Sequence, residues 1–447
     1  MIHRTLRPLA AAALAVSLPA HAAADTAQLE ARIAQLETQL AALLAERTAH
    51  PAPPAGAAPP ATATGAGAAA AAPPPIQSSA ILPNAPAGTR FTVSGFLRTD
   101  ALLTATGDGE IADGGIGRDL YVPGQIPVGG LDEGTDLDAL AKWSRIILGV
   151  DQTTDGGDTL AARLEFDLFG GALGNEQATN TYGLTVRHAW LGWNQWLFGQ
   201  TWTNVFDPAT LVDSVDIVGA TDAQVFVRQA QVRWTRGPWS LSLENPETTI
   251  APPGGGARVS SDDNNLPDLT ARYTHKASWG QVSTALLARQ LAWQTTGSNA
   301  VDDRRGALAA SVSGKILLGT QDDLRFAVTG GQGIGRYVGL GIAADAQLDA
   351  AGDLDAVDGL AAYLAWRHAF SPRWRTSLYA AASRWDHDVA RTGGAVTDRV
   401  HSLAANVFWT PVPKLDLGAE LRYGERRLED ASEGDLRRVH LVARYAF

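Results

Sequence analysis

From Phe91 onward the chain alternates apolar and polar residues with a period of two, the pattern of strands with one greasy face and one wet face. In 160–168, Leu160, Ala162, Leu164, Phe166 and Leu168 point one way, and Arg163, Glu165 and Asp167 the other. In 415–423, Leu415, Leu417, Ala419, Leu421 and Tyr423 oppose Asp416, Glu420 and Arg422. The last stretch sets Val439, Leu441, Ala443, Tyr445 and Phe447 against Arg438, His440, Arg444 and Ala446. A chain that stops on an aromatic at the end of such a strand has no tail to cover it, so both strand edges need partners, which closing a barrel provides.

The same reading yields sixteen strands, at 91–104, 142–151, 158–169, 183–193, 196–203, 224–236, 238–246, 268–277, 279–291, 304–318, 322–330, 357–370, 373–385, 398–410, 414–426 and 436–447. Long Gly- and Asp-rich connections follow the odd strands, beginning with 105–141, and short turns such as Asn194-Gln195 and Ser371-Pro372 follow the even ones. A soluble sandwich has no reason to keep its long loops at one end; an outer-membrane barrel does. The expected fold is therefore all-β, a 16-stranded transmembrane antiparallel β-barrel over 91–447. Trp193, Trp234, Trp239, Trp279, Trp374 and Trp409 fall near strand ends, where interface girdles sit. An even strand count returns the C-terminus to the side of the N-terminus.

The segment before the barrel divides into three. Residues 1–24 read as a secretory signal peptide, with His3, Arg4 and Arg7 as the positive start, Leu9 to Leu18 as the apolar stretch and Ala20-His21-Ala22 as the cleavage site. In 25–47, Leu29, Ile33, Leu36, Leu40 and Leu43 follow steps of four and three, the seam of a parallel coiled coil in which Arg32 and Glu37 offer an interchain ion pair. A single amphipathic helix on another surface is the alternative, and the seam does not distinguish dimer from trimer. Residues 48–90 are Ala, Pro and Gly with almost no charge, a disordered linker whose 43 residues span about 35 to 40 Å as a coil.

Composition sharpens this only where it bears on chemistry. The chain has 447 residues and no Cys, which excludes disulfides and thiolate metal sites. No apolar run reaches the length of a membrane-spanning helix. The net charge is -11, and no basic cluster favours nucleic acid. Yet the inward side of the strands carries a surplus of arginine: Arg98, Arg145, Arg163, Arg187, Arg233, Arg272, Arg289, Arg375 and Arg422, with Arg325, Arg438 and Arg444. Fixed positive charge in a narrow tube concentrates anions and repels cations, and arginine holds carboxylates bidentately. The alternative is that these arginines pair with Asp100, Asp151, Glu165, Asp167, Glu244, Asp268, Asp416 and Glu420 to brace the wall. The third long loop, 204–223, is the candidate constriction, entered through Gln200 and Trp202 and carrying Asn204, Asp207, Asp213, Asp216 and Asp222. Its acids, facing the arginine wall, would set a transverse field.

Catalytic motifs fail on spacing. Ser313-Gly314-Lys315 has Ala309 where a P-loop needs Gly and Ile316 where it needs Ser or Thr. Gly330-Gly331-Gln332-Gly333-Ile334-Gly335 lacks the dinucleotide spacing. Asp386-His387-Asp388 converges poorly for a metal, and no G-x-S-x-G occurs. No cofactor, metal or enzymatic activity is expected.

Several runs resemble the DcaP-like family of outer-membrane porins: Gly199-Gln200-Thr201-Trp202-Thr203-Asn204, Ile126-Pro127-Val128, Glu244-Asn245-Pro246-Glu247-Thr248 and Gly331-Gln332-Gly333-Ile334-Gly335-Arg336-Tyr337, with the heptads and the closing Phe447. The resemblance spans the mature chain. It implies a homotrimer of sixteen-stranded barrels in the outer membrane of a Gram-negative bacterium, with a periplasmic coiled-coil extension, passing small anions such as dicarboxylates. Tyr445 and Phe447 also resemble the C-terminal signal through which the barrel assembly machinery recognises its substrates. The expected surroundings are outer-membrane lipid and lipopolysaccharide. Val205 and the acids of 204–223 depart from the family's typical third loop. Two other readings stand beside a porin: a structural tether with an occluded barrel, and a barrel lipid hydrolase, which would need His188 or His368 beside a serine on the lipid face.

Overall fold

The structure, a computed structural model, describes residues 88–132, 134–171, 182–296 and 300–447. The signal peptide, coiled coil and most of the linker, including Leu29, Ile33, Leu36, Leu40 and Leu43, lie outside the described residues.

Twenty-one strands follow one another: β1 Arg90–Thr106, β2 Thr135–Leu140, β3 Arg145–Thr153, β4 Thr159–Asp167, β5 Thr185–Trp193, β6 Trp196–Trp202, β7 Arg228–Arg236, β8 Trp239–Glu244, β9 Thr248–Ala251, β10 Val259–Ser261, β11 Asp268–Ala277, β12 Gly280–Gln294, β13 Asp302–Leu318, β14 Asp322–Gln332, β15 Ala346–Leu348, β16 Leu354–Ala356, β17 Asp358–Ser371, β18 Trp374–Asp386, β19 Thr397–Trp409, β20 Leu415–Leu428 and β21 Glu433–Ala446. Seventeen of these segments form one antiparallel sheet. Because β2 and β3 pair successive halves of β1, they are one interrupted strand, and the wall has sixteen. The sheet closes where β1 meets β21, from Phe96 opposite Ala446 to Thr106 opposite Leu436. Closure leaves no strand edge to solvate, as a membrane requires.

The expected strands and the alternation of loops are present, and the ends move by a few residues. Two differences have physical causes. The first loop is shorter than 105–141, because Thr135–Leu140 extends the wall; its inward Asp136 and Asp138 pair with Arg118 of the loop at 2.7 and 3.0 Å. Residues 224–227 are not strand: Phe226 donates its N–H to Tyr337 and Val225 bridges Val338 in another loop.

The outward face is a continuous apolar band, with Leu97, Leu286, Leu308, Leu360, Leu403 and Leu421 all more than half exposed at 53 to 69%. Such a surface far exceeds what a water-soluble monomer leaves open. Trp193, Trp239, Trp279, Trp374 and Trp409 lie exposed at the short-turn end, and Trp374 stacks on Trp409 at 5.8 Å. That is an aromatic girdle at one interface.

The hydrophobic clusters inside the barrel belong to inward-folded loops. We call the connections 107–134, 203–227, 245–267 and 333–357 L1, L3, L4 and L6. Val205, Phe206 and Val212 of L3 pack with Ile334, Tyr337, Val338 and Ile342 of L6 against Tyr363, Tyr379 and Trp385 of the wall. Tyr121 and Ile126 of L1 pack on Leu436. L4 and L6 also contribute β9, β10, β15 and β16 to a separate four-stranded sheet over Leu291 and Ala307.

Glycines permit this crowding. A Cβ on Gly335 would lie 2.4 Å from the Ala344 carbonyl, and Gly331 has φ +139. The glycine-rich run is therefore a close-packed strand end and turn. Ser313-Gly314-Lys315 lies within strand β13.

Candidate functional site

L3 enters the lumen from β6 and is fastened along one side of the wall. Asn204 opens it: its N–H donates to Glu244 at 2.7 Å and its side-chain amide to the Ser240 carbonyl at 3.0 Å. Asp207 accepts from Gln281 at 2.7 Å and from Ser283 at 2.6 Å on β12. It also accepts from the Ala209 N–H, capping the turn Pro208–Thr210. Further along, Tyr363 donates to the Thr210 carbonyl at 3.0 Å, and Arg367 and Arg375 each donate to Asp213 at 2.9 Å. The Val215 N–H donates to Glu420 at 2.9 Å, and Arg98 returns a bond to the Val215 carbonyl at 2.6 Å. Among the described residues, every hydrogen bond that the wall makes to 206–219 comes from β1, β11, β12, β14 or β17–β20, and none from β3–β7.

L1 packs against L3 inside the barrel. The Tyr121 N–H donates to Asp216 at 2.8 Å, and its hydroxyl to Asp222 at 2.9 Å. Asp222 also accepts from Ser402. Arg422 donates to the Gly219 carbonyl at 2.8 Å and stacks over Tyr121 at 4.4 Å. An inward role for L1 was missed from sequence, although Leu120-Tyr121-Val122 and Ile126 are too apolar for a solvated loop.

The acids of 204–223 thus occupy positions other than those expected. Asp207, Asp216 and Asp222 are buried and Asp213 is half-buried; all are consumed in attaching L3, so they do not face a positive wall across an open gap. Their ionisation follows. Burial alone would raise the Asp213 and Asp216 carboxyls. Arg375 and Arg367 hold Asp213 below the ordinary range, and Arg422, His440 and the N–H groups of Tyr121 and Val218 do the same for Asp216. At Asp222 burial prevails over Ser402, Arg422 and Tyr121 and pushes the carboxyl up.

Gln200 is a second correction. Register pairs it with Ala189 on the outward side of β6, and its amide donates to the Val186 carbonyl at 3.0 Å. Thr201 faces inward beside His188 at 2.9 Å. Trp202 ends the strand, packed against Phe206 and Phe226.

The inward arginines sort into two groups. Arg98, Arg233, Arg272, Arg325 and Arg422 donate to backbone carbonyls at or beyond the end of β6: Val215, Trp202, Phe206, Leu211 and Gly219. Arg375 bridges Asp213 and Asp416, Arg438 holds Gly117 of L1 at 2.6 Å, and Arg444 binds Asp416 at 2.5 Å. Arg289 is fully buried between Asp268 and Asp345, at 3.4 and 2.8 Å, and fastens L6. These are braces. An irregular loop has carbonyls with no ladder partner, and a five-donor guanidinium supplies the missing bonds.

The second group lies on the side L3 leaves uncovered. Arg145 and Arg187 converge on Glu165, at 3.1 and 3.3 Å, and on Asp167, at 3.5 and 2.8 Å. A bulge opposite Glu165 and Phe166 lets consecutive Arg187 and His188 both turn inward. Arg163 is exposed on the same face. Arg228, not identified from sequence, lies with its guanidinium 3.8 Å from the centroid of Trp202 and leaves Nε and Nη2 without acceptors. Neither Arg163 nor Arg228 forms an ion pair or hydrogen bond among the described residues. With Arg233 of β7 and Asp151 of β3 included, the inward face of β3–β7 sets five guanidinium groups against three carboxylates, a surplus of positive charge.

His188 bonds Thr201, and His368 bonds Asp322 at 2.8 Å; neither has a serine partner among the described residues. His387 bonds Glu429 at 3.2 Å, and Asp388 caps Val389–Thr392, so the Asp386–Asp388 run serves loop structure.

A family profile described as DcaP outer membrane protein matches residues 108–447. Among solved structures, the outer membrane channel DcaP of Acinetobacter baumannii is similar at 24% identity and a TM-score of 0.67, over 81% of this chain and 99% of that one. A loop L8 deletion mutant of OmpT, an outer membrane protein of Vibrio cholerae, is similar at 14% identity and a TM-score of 0.50, over 80% and 100%. At these identities the likeness concerns the fold. No curated protein matches the sequence.

Proposed function

Since this chain belongs to the DcaP family of outer membrane proteins, we propose that it forms a passive diffusion channel for small hydrophilic solutes, preferentially anions such as dicarboxylates. The observation that carries this reading is the uncovered wall of β3–β7, where Arg145, Arg163, Arg187, Arg228 and Arg233 outnumber Asp151, Glu165 and Asp167. Solutes pass between that wall and the L3 face, and anions gain where cations lose. The exposed, unpartnered guanidinium of Arg163 gives a carboxylate bidentate donors without breaking a bond already made.

The rest of the organisation follows as part of the proposal. Residues 1–24 are removed on export, 25–47 form a periplasmic coiled coil, 48–90 are a tether, and barrels assemble as a homotrimer. Tyr445 and Phe447 engage the assembly machinery; Phe447 donates its N–H to Gly95 at 3.0 Å at the seam where the sheet closes.

The test is single-channel recording with the full mature protein in planar bilayers. Wild type is expected to conduct and to give an anion-selective reversal potential; replacing Arg145, Arg163 and Arg187 together by Gln lowers that selectivity. Unchanged selectivity would refute the wall as its source. The inward-packed loops also suit a tether with an occluded barrel, and absence of any conductance would favour that reading.

A further inference from the structure

The outside of the barrel carries a second charged feature, on a face that lines no passage. At the long-loop ends of β18, β19 and β20, register sets Arg384 opposite Arg399, and Arg399 opposite Arg427. All three lie at outward positions, in phase with Leu378 on β18, Leu403 on β19 and Leu421 on β20, which belong to the apolar band. Like charges directly opposite on neighbouring strands repel, so three arginines in one row is an arrangement a sheet disfavours unless anions intervene.

The protein supplies only part of that compensation. Asp398 lies 3.7 Å from Arg384 and 3.9 Å from Arg427, while Glu433 lies 3.8 Å from Arg399 and 3.4 Å from Arg427. These are loose pairs, two carboxylates for three guanidinium groups. They also differ in depth: the Arg384 side chain is 77% exposed above an Asp398 that is 17% exposed. One strand over, Arg437 stands out in the same way over a recessed Asp435. Arg384 and Arg437 thus stand above their acids, whereas Glu433 is exposed to the same level as Arg399 and Asp386 lies exposed two residues beyond Arg384, so the row holds its three guanidinium groups among carboxylates that pair with them only loosely. It sits where the apolar band ends, on the side of the long loops, which is the height of the outer-leaflet headgroups.

We propose that Arg384, Arg399 and Arg427 form a binding strip for the phosphate groups of a phosphorylated glycolipid in the outer leaflet. A phosphate has acceptor oxygens enough to bridge two neighbouring guanidinium groups, relieving their repulsion, while its acyl chains lie on Leu378, Leu403 and Leu421. The inference rests on outer-membrane residence and is independent of solute selectivity.

The test uses the full mature protein purified in mild detergent, with bisphosphorylated lipid A as the probe and native mass spectrometry as the readout. Wild type is expected to retain lipid A, and the triple variant Arg384→Gln, Arg399→Gln, Arg427→Gln to bind it at least about tenfold more weakly. Dephosphorylated lipid A is expected to lose binding to a similar degree. A heat-induced shift in electrophoretic mobility like that of wild type and an unchanged conductance establish that the variant barrel is folded; if the barrel does not fold, single substitutions at Arg384 and Arg399 replace it. Equal binding by wild type and variants, equal binding of the dephosphorylated lipid, or displacement by inorganic phosphate at the lipid's own concentration would each overturn the proposal.

Discussion

Replacing Arg163 and Arg228 by Gln removes the two guanidinium groups of the β3–β7 wall that make neither an ion pair nor a hydrogen bond among the described residues, and leaves Arg145 and Arg187 holding Glu165 and Asp167. The expected effect can be worked from charge alone. In a water-filled passage, a unit charge about 8 Å from a passing ion contributes about 0.5 kcal/mol. At 0.1 M salt the Debye length of about 10 Å reduces this by roughly half. Two arginines act on anions and cations with opposite signs, so the difference between them falls by about 1 kcal/mol, or roughly fivefold in the permeability ratio. At 0.01 M, where screening is weak, the same sum gives about fifteenfold. The assay is the zero-current potential across a bilayer in a salt gradient, measured at both mean concentrations. Loss of the arginine stacked on Trp202 costs about 1 kcal/mol of local packing, too little to unseat the wall. A ratio that does not fall, or one that falls equally at the two salt concentrations, would refute a field of fixed lumenal charge.

Four further outcomes are expected. Asp213→Asn weakens two charge-assisted hydrogen bonds and loosens L3 by about 2 kcal/mol, visible as added flicker in single-channel traces; steady traces would show that Asp213 is not an anchor. For pH, a carboxyl held below its ordinary value binds its proton less readily in the seated loop. Asp213 and Asp216 therefore stabilise L3 above the ordinary carboxylate range and cease to do so as pH falls through their lowered values. Asp222, raised, opposes this in the same direction of titration; wild-type traces should stay quiet near neutral pH and flicker in strong acid, and the reverse order would contradict the assignment. Arg289→Met strands two buried carboxylates and should destabilise the barrel by about 3 to 5 kcal/mol, read as a lower heat-dissociation temperature. Deleting 25–47 should weaken trimers only modestly on native gels, because tethering supplements an interface it does not create; complete dissociation would contradict this.

The wall was legible in the sequence because a lipid boundary imposes a period-two code on every strand that crosses it. Leu160 to Leu168 and Leu415 to Tyr423 obey that code, with only Ala161 and Gly418 interrupting the polar side. The same code says which side a residue takes but not whom it meets. Arg98, Arg272 and Arg422 were correctly turned inward, yet their partners are loop carbonyls 66 to 203 residues away, which no local pattern encodes. Gln200 was drawn into the constriction by its place in a recognisable run, against its own parity in β6. Arg228 escaped notice because it was assigned to the interior of a strand reaching back to 224, when it opens β7 at the rim.

The joint packing of L1, L3 and L6 bears on how such a pore could be re-engineered. Its calibre is a shared property of three connections far apart in the chain, each holding the others in place. Grafting one of them onto a foreign barrel should transfer neither shape nor selectivity, whereas exchanging all three as a set keeps the mutual fit that gives the passage its form.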